Sequence, residues 1–414
     1  MMTRSTAFSF NNPKTQIRIL QWNARSLNSN GTEFVKFLSE MTSPPNIICI
    51  QETWLDESKE FEIDGFDHIR ADRRDRIGGG VATFVAIGTP FRQIDLPPST
   101  LEVVAVEVFT DGKSISICNI YHSSQENDVQ VFENILRDLP PDSTPFLCGD
   151  FNSHHEMWGG KKNDHKGLSL VSFIEENGLV ALNDGNITYR SSSGASSVLD
   201  LTITTPDIAA KCSWSVVSES TFGSDHHPVM TNIAIPVPVE RSNNSRWNFK
   251  KADWVGFAQT CADLSYMDLF STDIDVFNDN VTHAIILAAS NHIPVVRQGH
   301  HKPGVPWWNA ACADAIKEKE KAWVRANASR NPDDYKIYST LRNKSRSVMR
   351  NTKKEHWRAH CSTINKNTTS RDLWEKTNQM LGRNNKTKPI SVLLEKNGAC
   401  VTESSAKANL FAKH

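Results

Sequence analysis

Hydrophobic residues in the first 235 positions fall into short runs separated by polar, Gly- and Pro-bearing stretches. The β-type runs are Ile17–Asn23, Ile47–Glu52, Val81–Ile87, Leu101–Phe109, Ser114–Tyr121, Pro145–Phe151, Ser197–Thr204 and Pro228–Ile235. Some are apolar on both faces (IICI, VATFVAI), as strands covered on both sides require. Others, such as Glu102–Phe109, alternate and suit antiparallel ladders. Helical spacing lies between them at Thr32–Ser39, Val129–Leu139 and Gly167–Asn177. Strands outnumber helices, so a regular βαβ array does not fit. The pattern predicts an α/β (α+β) chain with a two-sheet sandwich flanked by helices.

Beyond residue 235 the pattern changes. Pro236–Ser245 reads as a linker by its Pro, Asn and Ser content. Asp253–Leu264 and Asp273–Ser290 read as helices, and Gln298–Pro306 is rich in breakers. From Trp307 to about Cys361 runs a basic helical stretch that Pro332 interrupts. Asn331-Pro332-Asp333-Asp334 looks like a stop followed by a new acidic first turn, predicting a helical hairpin. The expected organisation is a flexible 1–15, a sandwich domain over 16–236, a linker and helical spacer over 237–306, and a basic, mainly helical segment over 307–414.

Composition adds one point that the pattern does not carry. The 414 residues hold 46 basic and 47 acidic side chains, a net charge of −1. That total conceals a split: residues 1–240 hold 18 Lys and Arg against 31 Asp and Glu, while 301–414 hold 23 against 10. A 38% apolar fraction excludes a disordered or collagen-like chain. No apolar run is long enough to span a bilayer, and the first residues lack the apolar core of a signal peptide. The eight cysteines have no CxxC spacing, and Cys49, Cys118 and Cys148 sit inside apolar runs, as buried small hydrophobes do. A reducing compartment, nucleus or cytoplasm, is expected.

Candidate chemistry concentrates in the acidic part. Gln21-Trp22-Asn23, Gln51–Trp54, Gly149–Asn152, Ser197–Leu201 and Ser224–Pro228 each place polar residues at or just beyond a β-type run. Strand ends are where loop-borne catalytic groups gather on a rigid sheet. Glu52, Asp150, Asp200 and Asp225 are carboxylates at such ends, with Asn23, Asn152 and His226 beside them. Carboxylates and amides suit Mg²⁺, which keeps waters and shares a phosphate; a His adds a group that titrates near neutrality. Together they are the parts for metal-assisted phosphodiester hydrolysis. Taken singly, each such Asp or Asn is more simply a turn or cap residue. Gly78-Gly79-Gly80 lacks the Lys of a P-loop and precedes a strand, so it is expected to be a hairpin loop. The pairs His154-His155, His226-His227 and His300-His301 match no zinc spacing.

The ordered set WN, QET, the Tyr of NIY, GDFN, SVLDL and SDHHP resembles the exonuclease–endonuclease–phosphatase superfamily, most nearly the apurinic-type endonuclease of jockey-like non-LTR retrotransposons. The resemblance covers about residues 16–235 and implies a four-layer α/β sandwich of the DNase I-like kind with its site at one rim. It further implies Mg²⁺ (Mn²⁺ as a substitute) held by Glu52, Asn23 and Asp225. Asp150 would be the general base, Asn152 would place the phosphate, Asp200 would orient His226, and His226 and Tyr121 would contact phosphate oxygens. Two departures stand out. Arg25 occupies a position where repair members carry Asp, and His122-Ser123-Ser124 follows Tyr121 without the usual Pro. Pro306-Trp307-Trp308-Asn309 and Asn397-Gly398 resemble the spacer before the reverse transcriptase of such elements; YxDD and CCHC signatures do not occur, so a fragment lacking the polymerase is expected.

The resemblance implies a DNA endonuclease that nicks one strand to leave a 3′-hydroxyl primer for reverse transcription. DNA, and possibly element RNA, are the expected partners, with no membrane and no small-molecule cofactor. Lys317, Lys321, Arg342, Arg346, Arg350, Lys353 and Lys354, interleaved with Trp323, Trp357 and Trp374, are the candidate nucleic-acid contacts; the competing reading is a solvated face with the tryptophans packed inside. Two other functions compete: a catalytically idle, transposon-derived nucleic-acid-binding protein, and a phosphatase or phosphodiesterase of the same superfamily.

Overall fold

A computed structural model describes residues 16–110, 112–123, 130–191, 194–237, 245–265, 269–297, 307–329, 331–365, 368–381, 393–394, 400–401 and 404–412. The expected flexible 1–15 and the pair His300-His301 lie outside them. The first body contains β1 (Gln16–Asn23), α1 (Leu27–Glu40), β2 (Ile47–Gln51), β3 (Phe66–Ala71), β4 (Val81–Ala86), β5 (Phe91–Ile94), β6 (Glu102–Val108) and β7 (Ile115–Tyr121). It continues with α2 (Gln130–Asp138), β8 (Thr144–Asp150), α3 (His165–Glu176), β9 (Val180–Ala181), β10 (Tyr189–Arg190) and β11 (Ser196–Ser197). β12 (Asp200–Thr204), α4 (Pro206–Ala209), β13 (Cys212–Val216) and β14 (Val229–Pro236) complete it.

Two six-stranded sheets form, in the orders β13-β14-β1-β2-β4-β3 and β5-β6-β7-β8-β12-β9. Each is mixed, with β1 parallel to β2 in one and β7 parallel to β8 in the other. Between the sheets lies a dry layer that includes Ile17, Ile47, Cys49, Val106, Ile117, Phe146, Cys148 and Ile233. On the outer face of the first sheet, Trp22, Ile48 and Ile50 pack against Phe34 and Leu38 of α1. On the outer face of the second, Leu147 and Leu201 pack against Phe132 of α2 and Phe173 of α3. These three apolar layers define a helix–sheet–sheet–helix sandwich, as expected.

The predicted strand runs match β1, β2, β4, β6, β7, β8, β12 and β14, with Ser197–Thr204 divided between β11 and β12. In the two six-stranded sheets, the strands that hydrophobic runs missed, β3, β5, β9 and β13, are the four edges. An edge strand buries less of its surface and carries charge against further pairing, so its sequence has no continuous apolar run. β13 shows this directly, with alternating half-buried and exposed positions.

Polar side chains also lie between the sheets. Gln21 donates to the Leu201 carbonyl at 3.2 Å and accepts from Thr202, while Gln51 donates to Asn119 at 2.6 Å. Asn119 in turn donates to the Ile50 and Ala82 carbonyls. A buried amide is tolerable only when bonded, so these residues fix the registration of one sheet on the other.

By contacts the chain forms two units: residues 1–240 with 304–414, and residues 241–303. The second unit contains the strand pair Ser245–Trp247 and Val295–Arg297 and the helices Trp254–Ala262 and Ile274–His292. In the first unit, the basic segment folds as the helix Ala310–Ser329 followed by the helix Pro332–Thr363. Asn331 caps the second helix by accepting from the Asp333 amide at 3.0 Å, with Pro332 in its first turn, where a missing N–H costs nothing. Seven described cysteines are free thiols, with Cys49, Cys118 and Cys148 buried. Among the described residues no helix is long and apolar enough to cross a membrane.

Candidate active site

Strand register assembles the site. In the second sheet Asp150 stands opposite Tyr121 of β7 on one side and Asp200 of β12 on the other. In the first sheet Asn23 at the end of β1 pairs with Gln51, so Glu52 follows immediately. Residues far apart in sequence thereby reach one rim of the sandwich. Gly149 makes the approach possible: it has φ +141°, and a Cβ there would lie 1.9 Å from the Ile120 carbonyl oxygen. Only glycine lets the backbone preceding Asp150 lie this close to β7.

Glu52 and Asn152 are held in left-handed backbone conformations, both with φ 48°. Arg25, Ser26, Trp54 and Phe222 share that region and lie in the loops around the same rim. Such conformations persist where the surroundings over-determine them. Here the turn after β2 is tied down by Thr53 and Trp54 amides donating to the Gly80 and Gly79 carbonyls at 3.1 and 2.9 Å. Gly78–Gly80 indeed form the loop between the antiparallel β3 and β4, all three with positive φ.

One amide links the two central carboxylates. Asn23 Nδ2 donates to Glu52 Oε1 at 3.1 Å and to Asp150 Oδ2 at 2.9 Å. Tyr121 Oη donates to the same Glu52 oxygen at 3.1 Å, and Trp54 Nε1 to the other at 3.1 Å. The Asn152 amide N–H donates to Asp150 Oδ1 at 3.0 Å, and its side chain donates to the His122 carbonyl at 3.0 Å. On the far side of Asp150, His226 Nδ1 is 2.9 Å from Asp200 Oδ2, and its Nε2 is 3.9 Å from Asp150 Oδ2. Asp200 is fixed by its own amide and that of Leu199, both donating to Thr188 Oγ1 at 3.0 Å, and Tyr189 covers the His226 ring at 4.8 Å.

Burial sets the protonation of this group. The Asp150 carboxyl is pushed up to about 7, first by desolvation and then by the neighbouring Asp200 and Glu52, against the pull of His226 and Asn23. Burial alone would lower His226, but Asp200 and Asp150 outweigh it and hold the imidazolium up to about 10. The Tyr121 hydroxyl is also driven above its ordinary range by burial and by Glu52. His227, next in sequence, is held down to about 4 by burial and has its Nδ1 at the Val217 carbonyl. Of the adjacent histidines, one therefore favours the imidazolium and the other the neutral ring.

Asp225 stands differently from Glu52 and Asn23. One of its oxygens takes the Arg25 guanidinium, and the other is buried with no partner. Arg25 thus neutralises a carboxylate that the sequence reading put in the metal shell. Among the described residues no three His, Cys, Asp or Glu side chains converge as a metal cage. The donor set suits a hard cation: two carboxylates, Glu52 and Asp150, sit around one amide. Oxygen donors of this kind suit a hard divalent cation that retains water ligands. His154 and His155 are engaged elsewhere, with Asp164 and with the Met157 amide.

Of the basic candidates, Lys317, Lys321, Arg350, Lys353 and Lys354 are exposed, whereas Arg342 and Arg346 are half-buried. Arg346 Nη2 donates to Asn30 Oδ1 at 2.6 Å and to the Gly223 carbonyl at 2.9 Å. Trp323 is buried in the hairpin, while Trp357 and Trp374 are exposed. Sequence reasoning missed Thr188, Asn183 and Tyr189, which support Asp200 and His226. Asn183 donates to the Asp200 carbonyl at 2.9 Å. No motif marks them; only the fold brings them in.

Residues 115–230 match a family model described as endonuclease-reverse transcriptase. Within the sandwich this chain therefore contains a stretch similar to that family. Its two mixed sheets are flanked by helices, as a four-layer α/β sandwich requires. Among solved structures, the endonuclease domain of TRAS1, a telomere-specific non-LTR retrotransposon, aligns at 24% identity over 53% of this chain and 98% of that one, with a TM-score of 0.46. The AP endonuclease LMAP from Leishmania major aligns at 16% over 56% and 92%, with a TM-score of 0.44. An AP endonuclease from Archaeoglobus fulgidus aligns at 19% over 53% and 99%, with a TM-score of 0.43. No curated protein matches.

Proposed function

We propose that this exonuclease–endonuclease–phosphatase region is a DNA endonuclease that nicks one strand by phosphodiester hydrolysis. The observation that carries the reading is the buried chain Asp200–His226–Asp150, with Asp150 tied through Asn23 to Glu52. Asp150 accepts the proton of the attacking water; a base near neutrality is well matched to that transfer, which general-base help accelerates roughly 10²–10⁴-fold. Asp200 holds the His226 imidazolium in place, and His226 Nε2 donates to an oxygen of the scissile phosphate. Tyr121 and Asn152 border the same space and orient that phosphate. Glu52 and Asn23 would hold Mg²⁺ or Mn²⁺, which when bound would offset the charge that develops on the phosphoryl oxygens.

The exposed Lys317, Lys321, Arg350, Lys353 and Lys354 supply a basic face for the polyanion, which the acidic first 240 residues would otherwise repel. We read the 3′-hydroxyl left by the nick as a primer for reverse transcription of element RNA, the task that the name of the matching family pairs with endonuclease. The test is conversion of supercoiled plasmid to open circles with Mg²⁺. Asp150→Ala and His226→Ala should each abolish it, and nicking that persists in both variants would sink the assignment. Turnover of a small phosphodiester without nicking would instead favour the phosphodiesterase reading.

A further inference from the structure

The helical hairpin formed by Ala310–Ser329 and Pro332–Thr363 belongs to the same unit as the sandwich. Its inner face meets α1, Arg190 and the loop 220–228 that carries His226. Arg346 bonds the Gly223 carbonyl and, through Asn30, the start of α1. Tyr338 Oη lies 3.2 Å from Thr221 Oγ1. The Trp323 ring packs on His227 with centroids 5.3 Å apart. Behind them Lys319 and Glu33 form a buried ion pair, and Ser220 Oγ reaches the same Glu33 at 3.4 Å.

The loop needs such support. Phe222 has a φ of 52°, strained for a residue other than glycine, and Gly223 follows at 89°. From that bend the chain passes to Ser224, whose hydroxyl donates to the Asn23 carbonyl at 2.7 Å and accepts from the His226 amide at 3.2 Å. One short path therefore connects the hairpin to both His226 and Asn23.

We propose that the hairpin is a working part of the active site: Arg346, Tyr338 and Trp323 act as positioning residues that fix loop 220–228 and thereby set His226 between Asp200 and Asp150. This rests on the nuclease reading for its consequence in turnover, though not for its structural content. It also gives Arg346 a role other than contact with substrate. Displacement of a catalytic group by about 1 Å can cost about 10²-fold in rate. Loosening the loop therefore lowers kcat while leaving KM and the salt dependence of DNA binding nearly unchanged.

The experiment uses the full chain, with Arg346→Met, Arg346→Lys and Tyr338→Phe. Plasmid nicking gives kcat and KM, and amide hydrogen exchange reads residues 218–228 directly. Expected are a roughly 10–100-fold lower kcat for Arg346→Met, partial recovery in Arg346→Lys, a smaller loss in Tyr338→Phe, and faster exchange in the loop for each. Unchanged kcat overturns the proposal, as does a loss confined to KM with a weaker salt dependence, which would make Arg346 a phosphate contact. Should Arg346→Met fail to fold, Tyr338→Phe decides. Should the wild-type chain not nick DNA, the nuclease reading falls, and the exchange rates still decide whether the hairpin holds the loop.

Discussion

The sandwich rim and the basic hairpin hold charge in opposite ways. At the rim, Asp150, Asp200 and His226 are almost wholly buried, each touching another charged or polar group. Along the hairpin, Lys317, Lys321, Arg350, Lys353 and Lys354 stand in solvent, and Lys319 is the buried exception, paired with Glu33. Burying a charge is costly unless it is paired and hydrogen-bonded, so a buried cluster signals position-specific chemistry or anchoring. Exposed charges cost little and act at range through a field that salt screens. The difference teaches that the charged residues of one chain do two jobs, and burial tells them apart.

The largest expected effect falls on the rim. Asp150→Asn keeps the shape and removes the base, so nicking should drop by roughly 10²–10⁴-fold. The same variant tests the electrostatics. Asp150 and His226 are both raised, to about 7 and about 10, so the native state holds protons that the unfolded chain gives up earlier. Stability of the metal-free protein should therefore fall as pH rises, from about 4 to 7 for Asp150 and from about 6.5 to 10 for His226. Denaturant midpoints across pH should show this decline, flattened between about pH 4 and 7 in Asp150→Asn. A midpoint that climbs with pH in the wild type would contradict the raised state of the pair.

Next in size is the hairpin's buried exception. Lys319→Met strands the Glu33 carboxylate without its partner and should cost about 3–5 kcal/mol, read from urea unfolding. Replacing both, as Lys319→Met with Glu33→Leu, should recover most of that loss, since the pair also carries its own desolvation cost. If the single variant is neutral, the interface is wetter than the structure has it. The smallest effect belongs to an exposed charge. Lys353→Ala should lower DNA affinity only a few-fold and reduce the salt slope by about 0.9, the value of one phosphate contact. No change in slope would make that lysine a solvated surface residue.

The candidate site was legible in part because its chemistry clusters at strand ends. Asn23, Glu52, Asp150 and Asn152 close or follow an apolar run, Asp200 opens one and His226 stands just before one, and an apolar run is a local property of sequence. Gln21, Gln51 and Asn119 were not legible as struts between sheets, because their partners lie 68 residues or more away for two of the bonds concerned. The inward bonds of Arg346 were not legible for a related reason. Its spacing on a basic helix is that of a solvent-facing residue, and only docking on Asn30 and Gly223 gives it an inward partner. The buried Trp323 followed the competing expectation, that the tryptophans pack inside, while Trp357 and Trp374 did not.

By itself the sequence determined the sandwich, its central strands, the helical hairpin broken at Asn331-Pro332 and the residue types that crowd the rim. Periodicity, caps and glycine positions are encoded within a few residues, so they can be read without knowing what packs where. The edge strands, the protonation of Asp150 and His226, the pairing of Arg25 with Asp225 and the seat of the hairpin against loop 220–228 were decided only by tertiary structure. Each depends on burial and on neighbours contributed by distant segments, and neither desolvation nor a long-range hydrogen bond leaves a local trace in the chain.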